Sequence, residues 1–194
     1  MTRSTDVQGI REILDFWFLP LGDPEHGKAR KFWWDSTTEI DAEIRRRFGA
    51  LLDKAVAGEL DAWRKSPDGA LALILLCDQF SRNMHRRTAR AFSGDAKARE
   101  TARYAFARNY PAAYPDDMRV FFFMPFQHSE DLGDQDFCCA LFATLDNEDN
   151  RKYALRHRNI VARFGRFPHR NEVLDRPSTA EELDYLKTAD RFGQ

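Results

Sequence analysis

Apolar residues recur along this chain every three or four positions, and polar residues between them mark where each run starts and stops. Ile10, Ile13, Leu14 and Trp17 share one face of a helix predicted over residues 7–18, which ends at Pro20. A loop over residues 22–27 precedes a second helix, predicted to start at Ser36. There Ser36-Thr37-Thr38-Glu39 reads as a capping box, in which hydroxyl and carboxylate each satisfy an orphan N–H. Ile40, Ile44, Phe48, Leu52 and Ala55 carry the pattern to Gly58. Ser66 and Pro67 suit the N-cap and first position of a third helix. Its first half, residues 70–77, has no polar face, the pattern of a helix enclosed on every side.

Ser93 or Asp95 opens an Ala- and Arg-rich helix through Asn109, stopped by Pro111 and Pro115. Residues 116–123 read as a short helix broken at Pro125. Ser129 is the expected cap of the next helix, with Phe137, Cys138, Leu141, Phe142 and Leu145 as its stripe. Asn147 or Asp149 opens another, carrying Tyr153, His157, Ile160, Val161 and Phe164 on one face and stopping at Gly165. Ser178-Thr179-Ala180-Glu181 repeats the capping-box chemistry before a terminal helix around Leu183 and Leu186. No segment shows sustained strand alternation. The expected fold is all-α, about eight helices in antiparallel hairpins, forming a single helical domain over residues 1–194. The hairpins suggest a repeat array, but no clean repeat signature of about 34 residues is present.

Composition narrows the function classes. With 43% hydrophobic and 31% charged residues the chain can bury a core and is not of a disordered class. A net charge of −1 gives the whole molecule no bulk attraction to nucleic acid or to a membrane surface. The longest apolar runs, residues 70–77 and 120–126, fall well short of the ~20 residues of a spanning helix. Residues 1–6 are polar and lack an apolar signal region. Three cysteines without CxxC spacing point to free thiols, so a soluble cytoplasmic protein is expected. No metal and no cofactor is expected, because HExxH, glycine-rich phosphate loops and nucleophile elbows are all absent.

Three stretches concentrate the chemistry. The first, residues 78–87, leaves the apolar third helix, and the pairs Asp78/Arg82 and Gln79/Asn83 each share a helix face. Unpartnered polar groups there would cost roughly 1–3 kcal/mol each. The stretch therefore fits a network that fixes the helix end, or the floor of a pocket. The second stretch, residues 125–135, holds Glu130 and Asp131, which suit the positive end of a helix dipole. His128, just before them, is a candidate general acid or base oriented by a nearby carboxylate. The third, residues 156–171, carries five Arg and two His without an acid. His157 falls on an apolar stripe, where a histidine is ordinarily a satisfied core group. Arg166, His169, Arg170 and Asn171 follow a helix end, where cations meet the negative end of the dipole or grip a phosphate or carboxylate. The four acids of residues 130–136 and the five Arg lie on successive helices, so antiparallel packing would pair them internally.

The stretches DQFSRN, PFQHSEDL and RFGRFPHRN, with the earlier DFWF and KFWW and the later LDRPSTAEELDYL, occur in an order that resembles a bacterial family catalogued as domain of unknown function 924. The resemblance covers about residues 10–186 and implies a tetratricopeptide-like helical fold. It brings no activity, cofactor or catalytic residue with it.

The first functional reading is a helical binding or scaffold protein that takes a protein or peptide partner. Its polar pocket would draw on Asp78, Gln79, Arg82, Asn83, His128, Glu130, Asp131, His157, Arg166, His169, Arg170 and Asn171. The alternative is an enzyme or sensor for a small anionic ligand bearing phosphate or carboxylate. Arg82, Arg166 and Arg170 would then hold the anion, His128 or His169 would move a proton, and Asp78, Glu130 or Asp131 would orient it. RNA binding through residues 82–90 and 156–170 is opposed by the near-neutral total charge. One geometric observation separates the first two readings: whether Arg82, His128 and His169 converge in an open cleft.

Overall fold

Ser66 Oγ accepts from the Gly69 N–H at 3.2 Å and Pro67 fills the first turn, so the central helix starts where its residues require. The computed structural model describes residues 2–189; the ends of the expected domain, Met1 and residues 190–194, lie outside them. Among the described residues the fold is all-α, with eight helices and no strand. These are α1 (Thr2–Phe18), α2 (Thr38–Val56), the central α3, α4 (Asp95–Phe106), α5 (Asp116–Gln127), α6 (Leu132–Ala143), α7 (Glu148–Phe164) and α8 (Ala180–Leu186).

Helix α3 begins as Pro67–Ile74, widens to a π-helical turn over Leu75–Phe80 and closes as Ser81–Met84. Its apolar half is fully enclosed, with α1, α2, α4 and α5 packed around it. The main core gathers on this axis, where Trp17, Phe18, Trp33 and Phe121 meet edge to face or stacked. Helices α6 and α7 pack in succession beyond α5. A second, smaller apolar cluster of Ile160, Val161 and Phe167, with Phe164 and Tyr185, joins α7 to α8. Gly94 lets the start of α4 touch the π turn, since a Cβ there would meet the Cys77 carbonyl oxygen at 2.2 Å. That approach brings Asp95 next to Arg82.

Several boundaries differ from the sequence expectation, each for a local reason. Thr37, not Ser36, caps α2 by accepting from the Ile40 N–H, because the Ser36 hydroxyl donates to Asp41. Asp131 caps α6 in place of Ser129, whose hydroxyl turns to Asp134. The capping box of α8 pairs Thr179 with Glu182, one residue beyond the expected register. Most consequential, α5 runs straight through Pro125. An interior proline costs about 3 kcal/mol, whereas each of Phe121, Phe122, Phe123 and Phe126, all buried, contributes roughly 1.5–3 kcal/mol. Burial wins, and the helix continues to deliver His128 at its end. Asn147 caps α7, and Gly165, at φ 69°, ends it as expected. Among the described residues no helix is long and apolar enough to cross a membrane.

Candidate functional site

Asp78 sits in the π turn of α3 and is completely buried. A buried carboxylate must be paired, and three side chains supply the partners. His128 Nδ1 lies 2.7 Å from Asp78 Oδ1, Gln79 Nε2 donates to Oδ2 at 2.6 Å, and the Arg82 guanidinium approaches Oδ1 at 3.2 Å. Arg82 is itself held by Asp95 through two hydrogen bonds of 2.8 and 3.1 Å. Burial alone would raise the Asp78 carboxyl, but His128 and Arg82 outweigh it and hold the group below the usual carboxylate range. Burial, reinforced by the Arg82 charge, lowers His128 below the ordinary imidazole range despite Asp78. An ionised Asp78 is held by Arg82 and by the Nδ1–H of His128, and the lowered imidazole favours the neutral ring. The Nδ1–H points at the carboxylate, leaving Nε2 as a lone-pair acceptor.

A second, partly buried carboxylate organises the neighbouring wall. Asp41 on α2 accepts from Ser36 Oγ at 2.8 Å, Asn83 Nδ2 at 2.7 Å and Arg86 Nε at 2.6 Å. Between these two centres and the start of α7 lies a cavity of about 640 Å³, within the range of small-molecule sites. Gln79, Arg82, Asn83 and His128 line its polar floor; Trp33, Trp34, Tyr153 and His157 supply aromatic walls. The His128 and His157 rings stand 6.4 Å apart, and His157 Nδ1 donates to the Tyr153 carbonyl at 2.8 Å. Burial pushes His157 down to about 3, so it too is neutral.

The remaining sequence candidates lie off the cavity wall, although Arg170 shares Asp95 with Arg82. Arg170 is buried between the Phe92 and Phe167 rings, with Asp95 at 3.8 Å. Glu130 binds Arg176 through two hydrogen bonds and accepts from the Phe167 N–H. Asn171 bridges Arg176 and Ser178, while Arg166 forms a two-bond pair with Glu182. Asp131 is a helix cap, and the His169 ring packs 5.5 Å from Phe167, off the cavity wall. Arg82 and His128 thus converge on the cavity, whereas His169 is not among its lining residues and stands close enough to His157 to act on its charge. Of the four acids expected to pair with the α7 arginines, Asp136 meets Arg158 at 2.9 Å, whereas Asp134 pairs with Arg99 and Arg103. Among the described residues no group of three or more His, Cys, Asp or Glu side chains is placed to hold a metal.

The family model described as a bacterial protein of unknown function, DUF924, matches residues 13–190. The chain belongs to this family. The chain is also similar to a solved structure, that of a protein of unknown function from Agrobacterium tumefaciens. It is 38% identical, with 94% of this chain and 99% of that one covered at a TM-score of 0.85. No curated protein matches the chain.

In this DUF924 member the sequence reading missed part of the cavity. Trp33, Trp34, Tyr153 and Gln127 line it but were not among the site candidates. Trp34 is the clearest omission: two adjacent Trp residues beside a polar loop cannot both face one core. Trp33 goes inward at 7% exposure, and Trp34 remains 58% exposed.

Proposed function

We propose that the protein is a small-molecule-binding enzyme whose cavity presents His128 as a general base. The Asp78–His128 pair carries this reading. A buried carboxylate fixes the tautomer of a neutral imidazole whose other nitrogen has no hydrogen-bond partner among the described residues and whose ring lines the cavity. Among the described residues no serine or cysteine is hydrogen-bonded to His128, so the base would act on a bound water or on the substrate itself. The π turn supports the reading, because such turns are rare and gather at functional sites.

The scaffold reading stands second. Its tetratricopeptide-like basis predicts helices that contact mainly their sequence neighbours, whereas α3 is a hub for four helices. We place the protein in a reducing cytoplasm, in keeping with three free cysteines, and treat the chain as one domain because ion pairs such as Glu130–Arg176 tie its two apolar clusters together.

Histidine-detected NMR at neutral pH tests the proposal. His128 is expected to carry its proton on Nδ1 and none on Nε2. A proton on Nε2 removes the base. Native mass spectrometry of freshly purified protein and of His128→Gln should then show a small molecule retained by the first and lost from the second.

A further inference from the structure

We infer that the cavity takes a small organic cation, an ammonium group on a flat apolar body, and not an anion. This rests on the small-molecule reading above and names its ligand class. Two carboxylates collect donors from the cavity wall. Asp78 draws in the N–H groups of Gln79, Arg82 and His128; Asp41 draws in those of Asn83 and Arg86 and the hydroxyl of Ser36. An ionised carboxylate only accepts. The Gln79 and Asn83 amides must therefore present nitrogen to it and turn their oxygens away.

Among the described residues Gln79 Oε1, Asn83 Oδ1 and His128 Nε2 have no hydrogen-bond partner, and all three residues line the cavity. Gln127 Oε1 in the same wall is buried and unpaired. Every one of these atoms is an acceptor, so the matching ligand surface is a set of donors.

Charge points the same way. The cations on the wall are matched: Arg82 by Asp78 and Asp95, Arg86 by Asp41. Asp149, exposed at the α7 side of the cavity, has no ion-pair partner among the described residues. On the floor around Gln79, Asn83, Gln127 and His128 an anion would meet acceptors, and at the α7 side an unmatched carboxylate. An ammonium would meet that carboxylate, the acceptors and the aromatic rings of Trp34 and Tyr153, which are 58% and 49% exposed.

Phenethylamine and phenylacetate carry the same ring with opposite charge, and histidine-detected NMR titration of the full chain compares them. Phenethylamine is expected to move the His128 ring signals saturably, with affinity weakened about two- to five-fold by Asp149→Asn; phenylacetate is expected to leave them in place. Phenylacetate binding as tightly as the amine, or no saturable shift with the amine, overturns the inference. The ligand-free spectra report the His128 tautomer separately, so the general-base reading stands or falls on a different observation.

Discussion

Two polar clusters in this molecule use the same residue types and end in opposite states. Around residues 166–182, Arg166, Arg176, Glu130, Asn171 and Glu182 bind one another through two-bond ion pairs and amide bridges. Around the π turn, Asp78 and Asp41 collect donors just as thoroughly, yet amide oxygens and an imidazole nitrogen on a cavity wall have no partner among the described residues. Arginine density therefore does not mark the site here. What marks it is the residue of unmatched atoms once each carboxylate has taken its share.

Perturbing either cluster should sharpen that contrast. The largest effect is expected from Asp78→Ala, which leaves His128 Nδ1 without its carboxylate and Arg82 with Asp95 alone in a buried setting, and should cost about 3 kcal/mol in urea unfolding. A loss below ~1 kcal/mol would mean that the cavity-side network is not what holds α3. Acid should come next. His157 is held down to about 3 when folded, against 6.5 as its ordinary value, so below that value the unfolded chain binds more protons. Stability should then fall by about 2–3 kcal/mol between pH 7.5 and 4.5. His157→Gln should flatten this slope; an unchanged slope would place the acid-sensitive group elsewhere.

Smaller changes separate the clusters more cleanly. Glu130→Gln loosens Arg176 in a partly buried setting and should cost about 1–2 kcal/mol by thermal unfolding while leaving phenethylamine binding intact. His128→Gln should reverse that outcome, abolishing binding for less than ~1 kcal/mol of stability. Equal effects of these two variants on binding would erase the distinction between the clusters. The smallest loss, about 0.5 kcal/mol, is expected for His169→Ala, whose ring contributes packing against Phe167.

The helical fold was legible because its signals are local. Ser66-Pro67, Asn147 and Gly165 act on their own turns, and the apolar run of residues 70–77 announces its burial directly. Pro125 was misread because its local cost is set against four phenylalanines whose burial is decided by the tertiary fold. The site was half legible for the same reason. Asp78/Arg82 is a contact within one helix and could be read from spacing, whereas Asp78/His128 spans 50 residues and Asn83/Asp41 spans 42. The π turn left no trace in the periodicity, since the residues it reorients are apolar on every side until Asp78.

Trp34 gives the cavity an optical consequence. Of the four tryptophans, Trp17, Trp33 and Trp63 are buried, while Trp34 stands in solvent at the cavity wall with its ring parallel to that of Phe121. Its emission belongs to the long-wavelength edge of the spectrum, apart from that of the three enclosed indoles. A molecule entering beside it would displace water from the indole and shift that edge toward the blue, so occupancy can be followed by intrinsic fluorescence without a label.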